Sequence, residues 1–427
     1  MTEIVETSDA FSKDTSSNFG KLGWAIIVTQ AALYWIGAGI CAHGLNLVLP
    51  TLVDTYSLDN SQLLLWATPA SWAGIAAGFL CAKMVQKFGP KTTILTCLLA
   101  AAIFWGCLGM ASSITLFVIL FAGVSFFGTG FAYIGGSALV ANWFPRKKDL
   151  ALGWTSFGQT LSSAFFVPLL ALSIAILGVK LGFLVISALM LIMFLVVASL
   201  LADKPEQLGC FPDNNPNWKD SFGAEDDPDM QVQKLTVGRL LKMKDVWLMG
   251  LGSGCVYMVL VGVTSQLVPR LMSLGYDKNT SILYMSIAAL IGTLGAYPWG
   301  WLGQKISTRL AIMVYMVWWF VAIMINILAH GNVYLLWVSL VMVGLSLGGA
   351  TNLTTSIVAS KFPRGQFAPA FGIIHPIQSL VRCCCFVVLA FGIEHLGGFD
   401  GAYGLLMGIC IVTILMYWET NTDPIQS

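Results

Sequence analysis

Apolar residues run along this chain in long blocks rather than in amphipathic stripes. From Gly23 the blocks cover 23–50, 62–84, 92–111, 114–141, 150–175, 179–201, 246–271, 281–302, 310–329, 332–359, 367–393 and 400–418. Each approaches or exceeds the about 20 residues that a helix needs to cross the hydrocarbon core of a bilayer. The pattern therefore predicts an all-α membrane protein with twelve transmembrane helices. A polar stretch at 202–245, carrying Pro205, Pro212, Pro216, Pro228 and the acidic run Glu225-Asp226-Asp227, separates two six-helix bundles at 23–201 and 246–418. It reads as a solvated linker with one short amphipathic piece at Leu235–Lys244. Residues 1–22 and 419–427 read as polar tails. The first of these lacks a basic region followed by a short apolar core and a cleavage site, so no cleavable signal peptide is expected.

Composition agrees with this pattern and narrows the function. The chain is 57% hydrophobic and 10% charged, whereas soluble domains carry about 25% charged residues. Twelve spans need about 240 residues, and 57% of 427 is about 243. A soluble enzyme or a secreted disulfide scaffold is excluded on these grounds. The net charge of +1 gives no field for a polyelectrolyte, so no nucleic-acid partner is expected. Placing both termini in the cytoplasm leaves only Lys180, Arg270 and Lys278 outside and Arg382 within a helix, so eighteen of the 22 basic residues lie inside. This bias predicts a multi-pass protein of the plasma (inner) membrane with both tails cytoplasmic.

The halves echo each other at an offset of about 218. Gln86-Lys87-Phe88 recurs as Gln304-Lys305-Ile306, Phe144-Pro145-Arg146 as Phe362-Pro363-Arg364, Asp59 as Asp277 and Gly130 as Gly348. With one residue of slip, Pro50 maps to Pro269 and Gln159 to Gln378. Several matches at one offset indicate duplicated bundles. Six helices return the chain to its starting side, so the copies are parallel, with a site expected between them near the midplane.

The loop Ala82-Lys83-Met84-Val85-Gln86-Lys87-Phe88-Gly89-Pro90-Lys91 and its partial copy Gly300-Trp301-Leu302-Gly303-Gln304-Lys305 resemble the signature of the major facilitator superfamily. Ala82 replaces its glycine, and Gln86 and Gln304 replace its acidic residue. The resemblance implies that this loop gates the cytoplasmic side, with Gln86, Lys87, Lys91, Gln304, Lys305 and Arg309 as its residues. Trp143-Phe144-Pro145-Arg146-Lys147-Lys148, followed by Ala151, Gly153 and Gly158, is similar to the oxalate/formate-antiporter-like and monocarboxylate porter branch. Relatives that exchange oxalate place basic residues in the eighth and eleventh helices. Here the eighth helix has none and the eleventh has one, which suits a monoanion.

Candidate chemistry is sparse. There is no phosphate-binding G-x-x-x-x-G-K-[ST], and the histidines at 43, 330, 375 and 395 have no metal-ligand spacing, so no cofactor and no enzyme activity are expected. The ten cysteines, including Cys383-Cys384-Cys385, read as packing residues, and Gly128-Thr129-Gly130 and Gly135-Gly136 as close helix contacts. No Asp or Glu lies deep in a span, which argues against a cationic substrate. Arg382 lies near the middle of the eleventh helix, and His375, Gln378 and Arg382 at i, i+3 and i+7 share one face. A guanidinium grips a carboxylate with two parallel hydrogen bonds, so this face is expected to bind an organic anion. Trp35, Gly39, His43 and Asn46 follow an approximate stripe on the first helix, and Tyr34, Tyr133, Tyr257 and Tyr284, with Trp66 and Trp154, are candidates for an aromatic wall.

The reading is a secondary active or exchange transporter of a small organic anion, in the first place a monocarboxylate, working by alternating access. The coupled species is a counter-anion, or a proton carried by His43 or His375. A porter of neutral or amphipathic compounds is the alternative, and a non-transporting membrane sensor a weaker one. A monomer in the lipid bilayer is expected.

Overall fold

The computed structural model describes residues 16–216, 236–330, 332–362 and 365–423. Within them the chain forms twelve helical spans. The first, α1, comprises Gly20–Ala38, a π-helical turn Gly39–His43 and Leu45–Tyr56. Then follow α2 (Asn60–Ser71 continuing through 73–88) and α3 (90–108). Next, α4 joins Ile114–Gly128, the π-helical Thr129–Gly135 and Gly136–Trp143, while α5 joins Lys148–Leu161, the π-helical Ser162–Phe166 and Val167–Leu177. The sixth, α6, is Val179–Leu200. The second bundle holds α7 (Lys244–Ser273), α8 (Lys278–Lys305), α9 (Thr308–Leu328), α10 (Val333–Ser346 and Gly349–Lys361), α11 (Phe367–Cys383 and Cys385–His395) and α12 (Phe399–Trp418).

Between α2 and α3 the helix runs on without a loop, and one residue makes the reversal. Gly89 has φ +84 and ψ 162, a conformation that L side chains avoid. Pro90 then opens α3 without needing an amide partner. The carboxylate of Asp203 fills the space where a Cβ on Gly89 would stand and accepts the Lys91 amide at 2.6 Å.

That contact corrects the reading of 202–245 as a solvated linker. Its first part, up to Pro216, is a strap docked on the first bundle. Trp143 Nε1 donates to Ala202 O (2.9 Å), and buried Asp213 accepts the amides of Arg146 and Lys147 at 3.1 and 2.9 Å, while Lys91 Nζ donates to Ala198 O at the end of α6 (2.8 Å). The amphipathic piece is a single short helix, Val237–Leu241; residues 217–235, with the acidic run, lie outside the described residues. The segment after α12 does the same for the second bundle. Arg309 Nη1 donates to Thr420 O (3.0 Å), and Lys361 Nζ donates to Asn421 O (2.9 Å) while pairing with Asp245 at 2.8 Å. Lys91 and Arg309, and Trp143 and Lys361, are counterparts at the 218-residue offset, so the repeat read in the sequence is built into the packing.

Asp213 yields a first prediction. It sits at φ 54, which Asn tolerates and Ala does not, and burial pushes its carboxyl up against the opposing pull of the two amides and of Lys147 and Lys148. A raised folded pKa means that Asp213 contributes most below its unfolded pKa, and that this contribution is lost as pH rises through the folded value. Asp213→Asn is expected to leave thermal unfolding in detergent nearly unchanged and to remove that pH dependence. Asp213→Ala, which orphans two amides, should cost about 1–3 kcal/mol.

The bundles meet on the side that carries both termini. There α2 packs on α11 through Gly78 and Ala82 against Gly372 and Pro376, and α5 packs on α8 through Gly153 against Gly300. Ala82, the departure from the signature glycine, presses its methyl into the space left by Gly372.

Candidate substrate site between the bundles

The wheel of α11 decides which side chains face the interior. Gly372 and Pro376 touch α2, Ile377 and Val381 pack on Gly250 and Gly254 of α7, and Leu380 points away, 57% exposed. The remaining arc holds Phe371, His375, Gln378 and Arg382, at i, i+4, i+7 and i+11. Arg382 falls at the middle of the 29-residue Phe367–His395, just before the break at Cys384. Its side chain is exposed, and its charge lies within electrostatic range of Cys41 of α1, Tyr133 of α4, Tyr257 of α7 and His375. These groups belong to both bundles, so the guanidinium is within electrostatic range of each. Among the described residues no carboxylate lies within ion-pair distance of it.

Below Arg382, toward the termini, the bundles are stitched together layer by layer along α5. Gln159 Oε1 accepts a hydrogen bond from Thr351 of α10 at 2.6 Å, and Thr351 meets the Tyr257 hydroxyl at 2.7 Å. One turn lower the rings of Trp154 and Tyr297 of α8 stand 4.8 Å apart, with Trp24 of α1 against the other edge of Trp154. Gly153 meets Gly300 beside Asn352. At the rim, buried Asp149 accepts from Thr308 of α9 at 2.8 Å. Across from this seam, Tyr133 stands 6.1 Å from His375, ring to ring. The path is closed on the termini side, and Arg382 lies beyond the closure.

The π turns of α1 and α5 have a packing cause, and α4 carries a third. Phe166, in the π turn of α5, occupies the place a Cβ on Gly39 would take and contacts Trp35 and Trp105. The extra residue in each turn rotates the helix beyond it, as π-bulges at functional sites do. The counterparts of the α4 and α5 turns in the second bundle are the breaks before Gly349 and at Cys384.

Not every expected residue joins this site. Arg382, His375, Gln378, Tyr133 and Tyr257 converge. Tyr34 is fully buried one layer back, bonded to Ser137 at 2.8 Å. His43 and Trp35 flank Cys41 on α1, but the π turn breaks the stripe, and Gly39 faces Phe166 rather than the cavity. The Asn46 side chain lies outside the described ones. Tyr284 is elsewhere, in an aromatic cluster with Tyr276 and Trp337 at the far end of the second bundle; its position less than two turns into α8 separates it from the midplane. Trp66 is 45% exposed. Of the expected gating residues, Lys91 and Arg309 staple their own bundles, Lys87 and Lys305 lie over Phe88 and Trp301, Gln86 is exposed and Gln304 is buried. The carboxylate at the seam is instead Asp149. Gln159, Thr351 and Cys41 were missed because neutral side chains carry no charge signal, although Gln159 was visible as the repeat partner of Gln378.

A family model described as Major Facilitator Superfamily matches residues 27–383 and 249–426. The chain belongs to the major facilitator superfamily. Major facilitator proteins are transporters, not enzymes. Among curated relatives, the oxalate:formate antiporter of Oxalobacter formigenes is 25% identical over 52% of this chain and 50% of its own. Monocarboxylate transporter 13 of Rattus norvegicus is 25% identical over 74% and 66%. A probable sulfoacetate transporter, SauU, of Cupriavidus necator is 26% identical over 43% and 42%. The chain spans less than two thirds of the length of each. In solved structures the fold recurs in FucP, in the outward conformation (TM-score 0.68, 16% identity, 92% of this chain and 97% of that one), and in the proton:xylose symporter XylE (0.70, 14%, 93% and 95%). The chain is thus an integral multi-pass membrane protein of this family, with relatives named as carriers of organic anions.

Proposed function

We propose that this protein exchanges small organic anions, monocarboxylates foremost, across the inner membrane with both termini cytoplasmic. The observation that carries this reading is Arg382, a permanent charge at the middle of a span that is paired with no carboxylate of the described protein. Ionisable groups at this depth are costly and mark substrate paths. The substrate carboxylate supplies the missing counter-charge through two parallel hydrogen bonds. The names of the three relatives support the class, since each refers to an acid or its anion, and the basic loops on the termini side support the orientation.

The mode of coupling follows from the same charge. Closing the empty site from both sides would enclose an unpaired guanidinium, a penalty of several kcal/mol, whereas the loaded site closes around a neutral pair. The return step therefore requires an anion, which makes exchange the preferred mode over proton symport through His43 or His375. Efflux of labelled substrate from proteoliposomes should accelerate at least tenfold when carboxylate is supplied outside, and His43→Gln and His375→Gln should leave the pH profile unchanged.

Ligand-induced stabilisation tests the substrate class directly. A ligand that binds the folded state raises its apparent stability by about 2.7 kcal/mol at a hundred times Kd. Carboxylates are expected to raise the unfolding temperature of the purified protein, and amines and sugars to leave it in place. A shift by neutral compounds alone would overturn the reading.

A further inference from the structure

The two bundles carry the same pair of positions between them, and only one pair is made. Gln159 of α5 bonds to Thr351 of α10, and Tyr257 completes the chain. At the repeat offset of 218 the counterpart of Thr351 is Tyr133 on α4, and with one residue of slip the counterpart of Gln159 is Gln378 on α11. This second pair is open. Gln378 is 6% exposed, and its Oε1 is buried with no hydrogen-bond partner. Nδ1 of His375, one turn away and beside Tyr133, is likewise buried and unpartnered. A buried amide left unpaired costs more than a made bond returns, so the vacancy at Gln378 marks a place for a ligand atom. It lies one helical turn from Arg382 on the same face, which puts it within reach of a molecule whose carboxylate is on the guanidinium.

We infer that Gln378 of α11 and Tyr133, which stands beside His375 one turn away, together form a second anchoring point, and that it takes a hydroxyl of the substrate. The inference rests on the organic-anion reading and narrows it to hydroxylated anions. A hydroxyl both donates and accepts, so it satisfies an amide in either orientation and leaves a lone pair for the Tyr133 hydroxyl. A methylene at the same place would leave the amide unpaired. The substrate thereby completes the missing bridge between α4 and α11, as Thr351 does between α10 and α5. The seam at Gln159 cannot serve as this anchor, because its bonds are already made within the protein. Gln378 and Tyr133 are specificity-determining residues, and the asymmetry between the repeats places the substrate to one side of the pseudo-twofold axis.

The test uses the full-length protein in detergent and pairs of carboxylates of two to five carbons, each with and without one hydroxyl on the chain. Titration calorimetry on the wild type should favour the hydroxylated member of the best pair by about tenfold or more. Gln378→Leu should erase that preference, chiefly by weakening the hydroxylated member, and Tyr133→Phe should reduce it. Gln159→Leu should keep the preference while loosening the seam. If the wild type binds both members equally and Arg382→Gln abolishes both, the second anchor is wrong and the anion reading stands. A preference that survives in Gln378→Leu also overturns it. If no carboxylate binds the wild type, the anion reading itself fails.

Discussion

Arg382→Gln is expected to weaken carboxylate binding by about a hundredfold or more. Removing one partner of a desolvated, hydrogen-bonded charge pair costs about 2–5 kcal/mol, and each 1.4 kcal/mol is a factor of ten. The magnitude follows from the setting of the guanidinium: midway along α11, within electrostatic range of groups from both bundles, and with no described carboxylate to share it. Arg382→Lys keeps the charge but loses the planar fork, so it should fall between wild type and Gln. The unfolding temperature of the ligand-free Gln variant should not drop, because Arg382 makes no ion pair within the described fold. Calorimetric titration of the three proteins with one carboxylate checks both points, and a drop in ligand-free stability would show that Arg382 serves packing.

Gly300→Leu is expected to open the termini side. A Cβ at Gly300 would lie 2.5 Å from the backbone oxygen of Asp149, 2.7 Å from Asn352 Nδ2 and 3.1 Å from the Gly153 Cα. Two of these three neighbours are backbone atoms of α5, which cannot rotate away. Overpacking of this kind costs about 1–3 kcal/mol. The clash with Asn352 stays within the second bundle, but the two with α5 fall only on the state in which α5 and α8 touch, so the population of that state should drop by about five- to a hundredfold. Spin labels on the ends of α5 and α8 report it: wild type should give mainly the short distance, and Gly300→Leu mainly the long one. Thr308→Val, which removes the bond to Asp149 but no volume, should shift the distribution in the same direction and less.

The membrane fold was legible in the sequence because a spanning helix is specified by length and apolarity. The repeat was legible because equivalent positions in the two bundles do the same job, as Lys91 and Arg309 show. Arg382 was visible because a lone charge in an apolar block stands out. What stayed hidden depends on geometry between distant segments. The strap at 201–216 looks polar, yet Asp203 and Asp213 find their partners in loops far away in the sequence. The π turns carry no periodic signal, since they arise where Phe166 meets Gly39. Tyr284 shows the converse: an aromatic residue on a spanning helix says nothing of its depth or direction until the helix is placed.

Uptake into proteoliposomes decides whether Arg382 holds the transported anion. Vesicles loaded with unlabelled carboxylate and carrying the wild-type protein are expected to accumulate the labelled acid, with vesicles carrying Arg382→Gln remaining at the background of protein-free liposomes. Equal uptake by the two proteins, or uptake of sugars and amines but of no carboxylate, would contradict the assignment of Arg382 as the anion site and with it the function proposed here.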